Sequence, residues 1–428
     1  MKMMNKKLLY AGIGLMAVAT AYWAGTQNIP SAEQQPKLEQ VGMETIPQQQ
    51  TATTSDVEHA QPNTPAANVV SKQHLPTTPN QAQVIKDKGM RFAHFRVGNS
   101  NVKAMLDDGD ILWVGTSGGV IRYDKAKDEH RLFDVRSGLL SNGIFHLSKY
   151  GRKLAVGTYG GGLSLLDPET EVWENYNIQH GLADAFIYDL LEMENGDVWI
   201  ATWSGANRVI GGEFDNRSAW QTFTVENTKG GLPNDWVYAV AKGSDKEVWM
   251  ATEGGLARYK DGNWKNWKHE DGLGAPYDLV KDQIEFDRDP AKESSHHARQ
   301  KVEMGLQSID VAYNPNYIVS LHVTPQGIVW CGTWGGGLAR FDGEVWSYFT
   351  ANDGLPANHI FMLEPAENGD LWIGTSNGLS RFNGKSFDTL TTHDGLFANN
   401  VFSLAMETNG TLWVGSFGGV SKLQNVKL

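Results

Sequence analysis

The chain has 428 residues, with 37 Lys and Arg against 49 Asp and Glu, and a formal net charge of −12 at pH 7. This balance argues against a generally basic nucleic-acid-binding protein, because contacts to phosphate need an excess of basic side chains. The single cysteine, Cys331, excludes an intrachain disulfide and a thiolate metal cluster. Glycine accounts for 47 residues and tryptophan for 15, which favours short strands joined by tight turns.

Residues 1–25 have the pattern of a targeting segment. Three lysines within the first seven residues precede an uncharged, mostly apolar run over 8–25. Two interpretations remain open: a signal peptide with its cleavage site at Ala19-Thr20-Ala21, or an uncleaved signal anchor that spans the inner membrane. Both place the remainder of the chain in the periplasm or outside the cell, and the anchor would also tether it to the membrane.

Residues 26–88 are rich in Gln, Pro, Thr, Ala and Ser, and no aromatic residue occurs between Trp23 and Phe92. Such a segment cannot bury enough apolar surface to offset the loss of chain entropy on folding. The composition therefore predicts a disordered tether, with a root-mean-square reach of roughly 45 Å as a flexible coil.

From about residue 89 the chain repeats with a period of about 41 residues. The clearest unit is Leu371-Trp372-Ile373-Gly374-Thr375, a short apolar run that leads into a glycine-rich turn. Copies of this unit begin at Leu112, Leu154, Val198, Val248, Val329, Leu371 and Leu412. Most copies are followed by a run that ends in a basic and an aromatic residue, then by a pair of large residues three apart, and then usually by a Gly-Leu loop.

Four strands in a repeat of this length are typical of the blades of a β-propeller. We therefore predict an all-β fold over 89–428, a seven-bladed β-propeller of four-stranded blades. The last copy ends after its third strand, and Phe92 and Phe95 reproduce the aromatic spacing of the missing fourth strand. The N-terminal strand is thus expected to close the last blade and to remove its free edge.

The pattern DGLPxN…GDLWIGTxxGLxRFxG, from Asp353 to Gly384, resembles the two-component-regulator propeller repeat. The resemblance extends over nearly all of 89–428 and implies a periplasmic sensor-type β-propeller. In that family the repeats often form sensor regions fused to a histidine kinase. Here the chain ends with the propeller, so we expect the sensor-type domain without the kinase.

The repeated residues point to structure rather than to a site. The tryptophan of each unit recurs because every blade must pack on its neighbour, and a large apolar area is buried by each ring. The basic residue of the third strand occurs in six of the seven copies: Arg122, Arg208, Arg258, Arg340, Arg381 and Lys422. We expect it to form an inter-strand ion pair or to stack on the tryptophan.

Two positions that vary between the copies face one end of the propeller. One leads the turn between the second and third strands, and the other is the residue at the start of the first strand. Serine occupies the turn position in two copies, so not every blade requires an aromatic side chain there. We predict a face that binds a sugar, a peptide or an aromatic group at Tyr159, Trp203, Trp236, Tyr317, Trp334, His359 and Phe417. The alternative is that these rings pack under neighbouring loops.

One repeat is about 40 residues longer than the others, through an insertion at about 274–313. Asp289-Pro290 and Gly305 are typical helix boundaries and predict a helix over 290–304. An insertion of this length is expected to serve as a lid or as a docking site for a partner. Its carboxylates and histidines lack the spacing of a metal site, so we expect no metal and no cofactor.

The targeting segment, the repeat and the lack of a catalytic signature together favour an exported, non-enzymatic module of the bacterial envelope. Its predicted role is ligand sensing, or protein binding as a scaffold, with a protein partner or a small ligand and no nucleic acid. The alternative is a propeller enzyme, a lyase or hydrolase of a periplasmic substrate, that uses His359, Glu253 and carboxylates of the insertion.

Overall fold

The computed structural model describes residues 91–284, 292, 298, 301, 302 and 305–424. The predicted targeting segment and tether, residues 1–88, lie outside the described residues, and so does most of the helix predicted over 290–304. Within the described part of the chain the fold is built from antiparallel strands.

Five sheets contain four antiparallel strands each. The first two sheets comprise β5 (Ile144–Tyr150), β6 (Lys153–Thr158), β7 (Leu163–Leu166) and β8 (Trp173–Tyr176), then β9 (Ile187–Glu192), β10 (Val198–Thr202), β11 (Gly205–Val209) and β12 (Trp220–Phe223). The next two comprise β13 (Val237–Lys242), β14 (Val248–Thr252), β15 (Gly255–Lys260) and β16 (Asn263–Trp267), then β17 (Asn314–Val323), β18 (Val329–Trp334), β19 (Leu338–Phe341) and β20 (Trp346–Phe349). The last comprises β21 (Ile360–Pro365), β22 (Leu371–Thr375), β23 (Gly378–Phe382) and β24 (Phe387–Leu390).

The remaining strands form one seven-stranded sheet, where the sequence predicted two further separate blades. In sheet order these strands are β25 (Ser403–Met406), β26 (Leu412–Gly415), β27 (Phe417–Gln424), β1 (Arg91–Asp108), β2 (Ile111–Thr116), β3 (Gly119–Asp124) and β4 (Glu129–Phe133). The prediction of seven separate four-stranded sheets is therefore corrected to five. The physical reason is that β1 is one continuous strand of 18 residues, which pairs with β27 through its first part and with β2 through its last.

The first strands of the repeats form a closed circle about a common axis. Strands β5, β9, β13, β17, β21 and β25 each contact the next, and β1 contacts both β5 and β25. We refer to these seven as the inner strands. The predicted pairing of the N-terminal strand with the end of the chain is present, since Phe92 lies opposite Leu423 and Phe95 opposite Val420.

The repeated tryptophans lie in the core between neighbouring sheets, as predicted. Trp113, for example, packs with Ile144 and Val156 of the following sheet. On the adjacent strand the repeated basic residue lies directly opposite the tryptophan, as in Trp199 and Arg208. The Arg208 guanidinium lies 5.8 Å from the centroid of the Trp199 ring, and its Nε donates to Asp197 Oδ2 at 2.8 Å. This basic residue thus both stacks on the ring and forms an ion pair, which confirms its structural role.

The Gly-Leu loops are tight turns, as their composition predicts. In one of them the Asp353 carboxylate accepts a hydrogen bond from the Thr350 amide at 2.8 Å, and Gly354 has a φ of 111°. That left-handed conformation favours glycine over any residue with a Cβ. Cys331 lies in β18 as a buried free thiol whose pKa is raised by burial, in agreement with an inert structural role.

Glu364 lies on inner strand β21 opposite Trp372. The pH dependence of the free energy of unfolding tests how far its carboxyl is buried. Burial raises the pKa of its carboxyl from an ordinary 4.5 to about 7. Between these values the folded chain holds a proton that the unfolded chain has released, so the free energy of unfolding falls as pH rises. Because Glu364 retains some contact with solvent, we expect a fall of about 2 kcal/mol.

Urea denaturation at about pH 4.5 and about pH 8 measures this contribution. Glu364→Gln should remove it and make the protein more stable than the wild type at the higher pH. Glu367→Gln, at an exposed neighbouring position, is the control and should follow the wild type. Identical pH dependence in the wild type and Glu364→Gln would contradict the prediction.

Candidate functional site

The two variable positions of the repeat meet at the same end of the propeller, which we call the mouth. In several blades the residue that leads the turn is hydrogen-bonded to the residue at the start of the inner strand. The Tyr159 amide donates to the Gly143 carbonyl at 2.7 Å, and the Glu253 amide donates to the Trp236 carbonyl at 3.1 Å. In these two blades the backbone itself therefore holds the variable side chains side by side.

Four aromatic side chains form a continuous chain of ring contacts at the mouth, and we call them the mouth cluster. They are Tyr159, Phe186, Trp203 and Trp236, with successive ring centroids 4.6, 4.7 and 4.6 Å apart and each pair packed edge to face. Three of the four are half-buried, and Trp203 between them is 9% exposed. Three of the predicted site residues are thus brought together, with Phe186 as a fourth ring between Tyr159 and Trp203.

A second group of predicted residues lies deeper. The Tyr317 and Trp334 rings are stacked with centroids 5.6 Å apart, and the His359 ring packs edge-on against Trp334 at 4.8 Å. Trp334 is 4% exposed and His359 fully buried. The alternative reading of these aromatics, that they pack beneath loops, describes this group.

The insertion covers this deeper group. His359 Nε2 lies 2.9 Å from the carbonyl oxygen of Ala312, near the end of the insertion, and Ala312 packs with Tyr317 and Trp334. Burial lowers the pKa of His359 to about 4, so the imidazole is neutral at physiological pH and its Nε2 hydrogen can be donated to that carbonyl. The Nε2–H group of His359 is therefore engaged in a structural hydrogen bond to the insertion.

Phe417 is separate from both groups. It is 41% exposed and lies opposite Asn101, where the pairing of β27 with β1 shifts register. The ring contacts found among the described residues do not join it to the mouth cluster. The residues of the predicted binding face thus lie in two groups of contacting rings and one exposed side chain.

The described parts of the insertion are packed onto the propeller. They include one short helix, α1 (Tyr277–Val280), and residues 305–313, which share a small core with Ala275 and Tyr313. The Tyr313 hydroxyl donates to the Ala275 carbonyl at 2.7 Å, which joins the two ends of the insertion to each other. The Asn358 side-chain amide donates to Gln283 Oε1 at 3.1 Å, which joins the insertion to the propeller. The insertion is thus attached at both of its ends, beside the mouth.

The structure does not describe several carboxylates and histidines of the insertion. Glu285, Asp287, Asp289, His296 and His297 lie outside the described residues. Within the part of the chain that the structure describes, no group of three or more His, Cys, Asp or Glu side chains is arranged to hold a metal ion. Likewise, no helix of the described residues is long and apolar enough to cross a membrane.

A further layer of aromatic residues, which the sequence analysis missed, lies one step inside the mouth. In six inner strands the pairing with the second strand shifts register near the strand start, which leaves one extra residue as a β-bulge. The residues at this position, with the equivalent residue of β25's repeat, are Lys103, Phe145, Tyr188, Tyr238, Val319, Phe361 and Phe402. We call these seven the channel ring.

Members of the channel ring contact their equivalents in neighbouring repeats. The ring centroids of Phe145 and Tyr188, and those of Tyr188 and Tyr238, are 4.9 Å apart, and those of Phe361 and Phe402 are 5.5 Å apart. The Lys103 ammonium lies 4.3 Å from the Phe402 ring centroid. Because the inner strands encircle the axis, side chains that meet across them line the central channel. The signal was in the sequence, since an aromatic residue recurs two positions after the start of the inner strand.

Comparisons with known proteins give one sequence-family match and several solved structures of similar fold. The sequence family described as Two component regulator propeller matches residues 354–377, within the pattern that carried the predicted resemblance. No curated protein matches the chain.

Among solved structures, the extracellular domain of a protein assigned as a hybrid two component system from B. thetaiotaomicron is 21% identical, with a TM-score of 0.59 over 77% of this chain and 40% of that one. The extracellular domain of a protein assigned as a one component system from the same organism is 19% identical, with a TM-score of 0.56 over 77% and 39%. This chain therefore spans about two fifths of the length of those two structures.

A catalytically inactive virginiamycin B lyase from Staphylococcus aureus, in a structure with quinupristin, is 11% identical. Its TM-score is 0.55 over 78% of this chain and 99% of that one. At these identities the likenesses establish the fold and not the activity. The chain thus carries the two component regulator propeller repeat, matched at residues 354–377, on a β-propeller fold.

Proposed function

We propose that this chain is an exported, non-enzymatic β-propeller that acts as a ligand-sensing or protein-binding module of the bacterial envelope, with the mouth cluster as its contact surface. The observation that carries the proposal is the set of four rings in mutual contact at Tyr159, Phe186, Trp203 and Trp236. Other blades have Ser117 and Ser376 at the turn position, so blade packing alone does not require these rings.

Half-buried aromatic side chains suit a binding surface for two reasons. They offer a large apolar area together with polar edges, and their packing against one another fixes their orientation before a partner arrives. Tryptophan and tyrosine are also the residues enriched at the energetic centres of protein interfaces. A protein partner or a small ligand with an aromatic or sugar-like face would both use these properties.

The insertion beside the mouth supports the same proposal. It is attached to the propeller through contacts such as Asn358 to Gln283 and His359 to Ala312, and it covers Trp334 and His359. We propose that it delimits the binding surface as a lid or a docking element. The likeness of the fold to extracellular domains of proteins assigned to two component systems is in keeping with a sensing role.

An enzymatic role has less support. His359 is fully buried, its Nε2 donates to the Ala312 carbonyl, and burial lowers the pKa of this imidazole. Glu253 is fully buried, and the lyase of similar fold is 11% identical to this chain. We therefore keep binding as the proposed function.

Location belongs to the proposal as well. We propose that residues 1–25 direct export as a signal anchor or a signal peptide, and that 26–88 tether the propeller, residues 89–428, at the inner membrane facing the periplasm. A reporter that is active only outside the cytoplasm, fused after Leu428, should then give a signal. A silent fusion that is fully expressed would contradict export.

We also propose that the seven-stranded sheet comprises two blades that share β1, which would make a seven-bladed propeller. Support comes from the register of β1, whose residues Arg91–Arg96 pair with β27 and whose residues Val102–Asp108 pair with β2. The repeat is complete only when the first part of β1 is counted with β25, β26 and β27.

Substitution of the mouth cluster tests the proposed function. Trp236→Ala removes a half-buried ring of the mouth cluster, and Trp203→Ala removes the more buried ring beside it. For each variant we expect at least a tenfold loss of partner capture from envelope extracts, equal to about 1.4 kcal/mol. The measurement is quantitative mass spectrometry of proteins retained by the immobilised protein. Val172→Ala, an exposed apolar residue in the turn between β7 and β8 at the opposite end of the blade, is the matched control. Equal capture by all variants, with their folds intact, would contradict the mouth as the contact surface.

A further inference from the structure

The connection between β11 and β12 forms a cleft with the preceding sheet, β5–β8. This connection, residues 210–219, is the longest one between a third and a fourth strand in the described chain. Its Phe214 ring lies 5.3 Å from the Tyr150 ring of β5 and 4.9 Å from the Tyr176 ring of β8, measured between centroids. Between residues 212–216 and β5–β8 lies a cleft of about 530 Å³, which we call the side cleft. Its volume is that of a small-molecule site.

The side cleft lies against the blade that departs from the repeat at both of its recurring core positions. The other six copies place a basic residue opposite a tryptophan, as in Arg208 opposite Trp199. In β5–β8 the corresponding pair is Leu165 opposite Ala155, and both side chains are buried. Phe214 packs in the same core as Ala155, so the next blade supplies an aromatic ring to the blade that lacks the tryptophan. The cation that the repeat places beside such a ring has no counterpart at this position of β7.

The charged side chains that line the side cleft are mostly acidic. Glu174, Glu213 and Asp215 contribute three carboxylates against the ammonium group of Lys153, which forms an ion pair with Glu174. The Tyr176 hydroxyl donates to Glu174 Oε2 at 3.4 Å and is also within hydrogen-bonding reach of Asp215. Burial, together with these two carboxylates, raises the pKa of Tyr176. The side cleft thus combines an excess of negative charge with buried aromatic rings.

This lining favours a ligand with primary ammonium groups. Carboxylates accept hydrogen bonds, and a primary ammonium group has three donors, whereas a quaternary ammonium group has none. An anion would be repelled by the excess of carboxylates. The rings of Tyr150, Tyr176 and Phe214 offer apolar surface that suits a short chain of methylene groups. Because two carboxylates remain beyond the one that Lys153 balances, a ligand with two positive charges matches the side cleft better than one with a single charge.

We propose that the side cleft binds a small diammonium compound, with its ammonium groups at the Glu213 and Asp215 carboxylates and its methylene chain along the aromatic rings. The site is separate from the mouth. Inner strand β5 starts at the mouth with Ile144 and reaches the side cleft only at its last residue, Tyr150. Binding there therefore does not require the mouth cluster to contact a partner.

Titration calorimetry of the full-length protein with 1,4-diaminobutane tests this inference and should show saturable binding. The diol 1,4-butanediol has the same length without charge and should not bind. Butylamine has one charge and choline has no ammonium hydrogen, so each should bind about fivefold more weakly than the diamine or worse. Absence of saturable diamine binding would overturn the proposal. Equally tight binding of choline or of Mg²⁺ would also overturn it, because it would indicate an aromatic cage or a merely acidic surface.

Two substitutions in the side cleft should change diamine affinity in opposite directions. Asp215→Asn removes a carboxylate and should weaken binding about fivefold, whereas Lys153→Gln removes the competing cation and should strengthen it about twofold. Asp128→Asn is the matched control, because Asp128 is also exposed and accepts a hydrogen bond from a tyrosine hydroxyl, that of Tyr123 at 2.8 Å. This control should bind the diamine as the wild type does. Unchanged affinity in a folded Asp215→Asn protein, or weaker binding by a folded Lys153→Gln protein, would overturn the proposal.

The mouth variants separate this inference from the proposed function. Trp203→Ala and Trp236→Ala should leave diamine affinity within about twofold of the wild type, whether or not they abolish partner capture. If those variants lost diamine binding and Asp215→Asn retained it, the ligand would bind at the mouth and the assignment to the side cleft would be wrong.

Discussion

Replacing Trp372 with alanine is expected to lower the free energy of unfolding by about 3–5 kcal/mol. Trp372 is 4% exposed and packs with Leu379, Leu390 and Val401 in the core between β21–β24 and the seven-stranded sheet. Truncation would leave a cavity that this close-packed interface cannot fill by collapse, because both of its walls are hydrogen-bonded sheets. Chemical denaturation of the purified protein measures the loss.

The matched control is Trp236→Ala in the mouth cluster, which removes the same side chain from a half-buried position. Its expected cost is below about 1.5 kcal/mol, because less area returns to water and no enclosed cavity forms. Equal losses for the two variants would mean that the mouth cluster is part of the core, and they would remove the distinction between packing and contact tryptophans.

That distinction could be predicted from the sequence, because it depends on comparison between copies. A residue that recurs in six of seven repeats, such as Trp372, answers a need that each blade has, and the structure places it between sheets. A residue that varies between the copies, such as Trp203, does not meet a need that all the blades share. The short strands, the turns with Gly354 and the pairing of Phe92 opposite Leu423 followed from the same periodicity.

What the sequence did not predict depends on contacts between different repeats. The burial of His359 results from the path of the insertion, which brings the Ala312 carbonyl to 2.9 Å from its ring. No local pattern encodes that path, since the insertion has no equivalent in the other repeats. The division of the aromatics into a mouth cluster and a buried group around Trp334 has the same origin.

The channel ring was missed for a different reason. A strict alternation of inward and outward side chains assigns the bulge residue to the wrong face, because the bulge adds one residue to the inner strand. Ile187 and Asp189 pair with Thr202 and Ala201, which are consecutive residues of β10. Tyr188, between Ile187 and Asp189, is therefore the extra residue of the bulge. Only the register of the sheet reveals that this position faces the channel.

Deletion of residues 88–97 is expected to have the largest effect of any change considered. It removes the part of β1 that pairs with β27, together with Phe92 and Phe95. The Phe95 ring lies 5.5 Å from that of Trp413 and 5.3 Å from that of Tyr123, and Phe92 packs in the core that contains Trp372. Since each Phe→Ala change in a core costs about 3–5 kcal/mol, the loss should exceed ~5 kcal/mol and leave the protein unfolded or aggregated at moderate temperature.

This effect arises because the deletion leaves the edge of β27 without its paired strand. Without its partner, the backbone groups of Val420 and Leu423 on that side would face solvent, and their buried side chains would lose their cover. The result should appear as a large fall in melting temperature and as concentration-dependent association in light scattering. A chain that begins at residue 88 keeps the strand and should melt as the full-length protein does. A deletion variant with an unchanged melting temperature would show that the pairing of β1 with β27 does not close the propeller, and it would remove the support for counting that sheet as two blades.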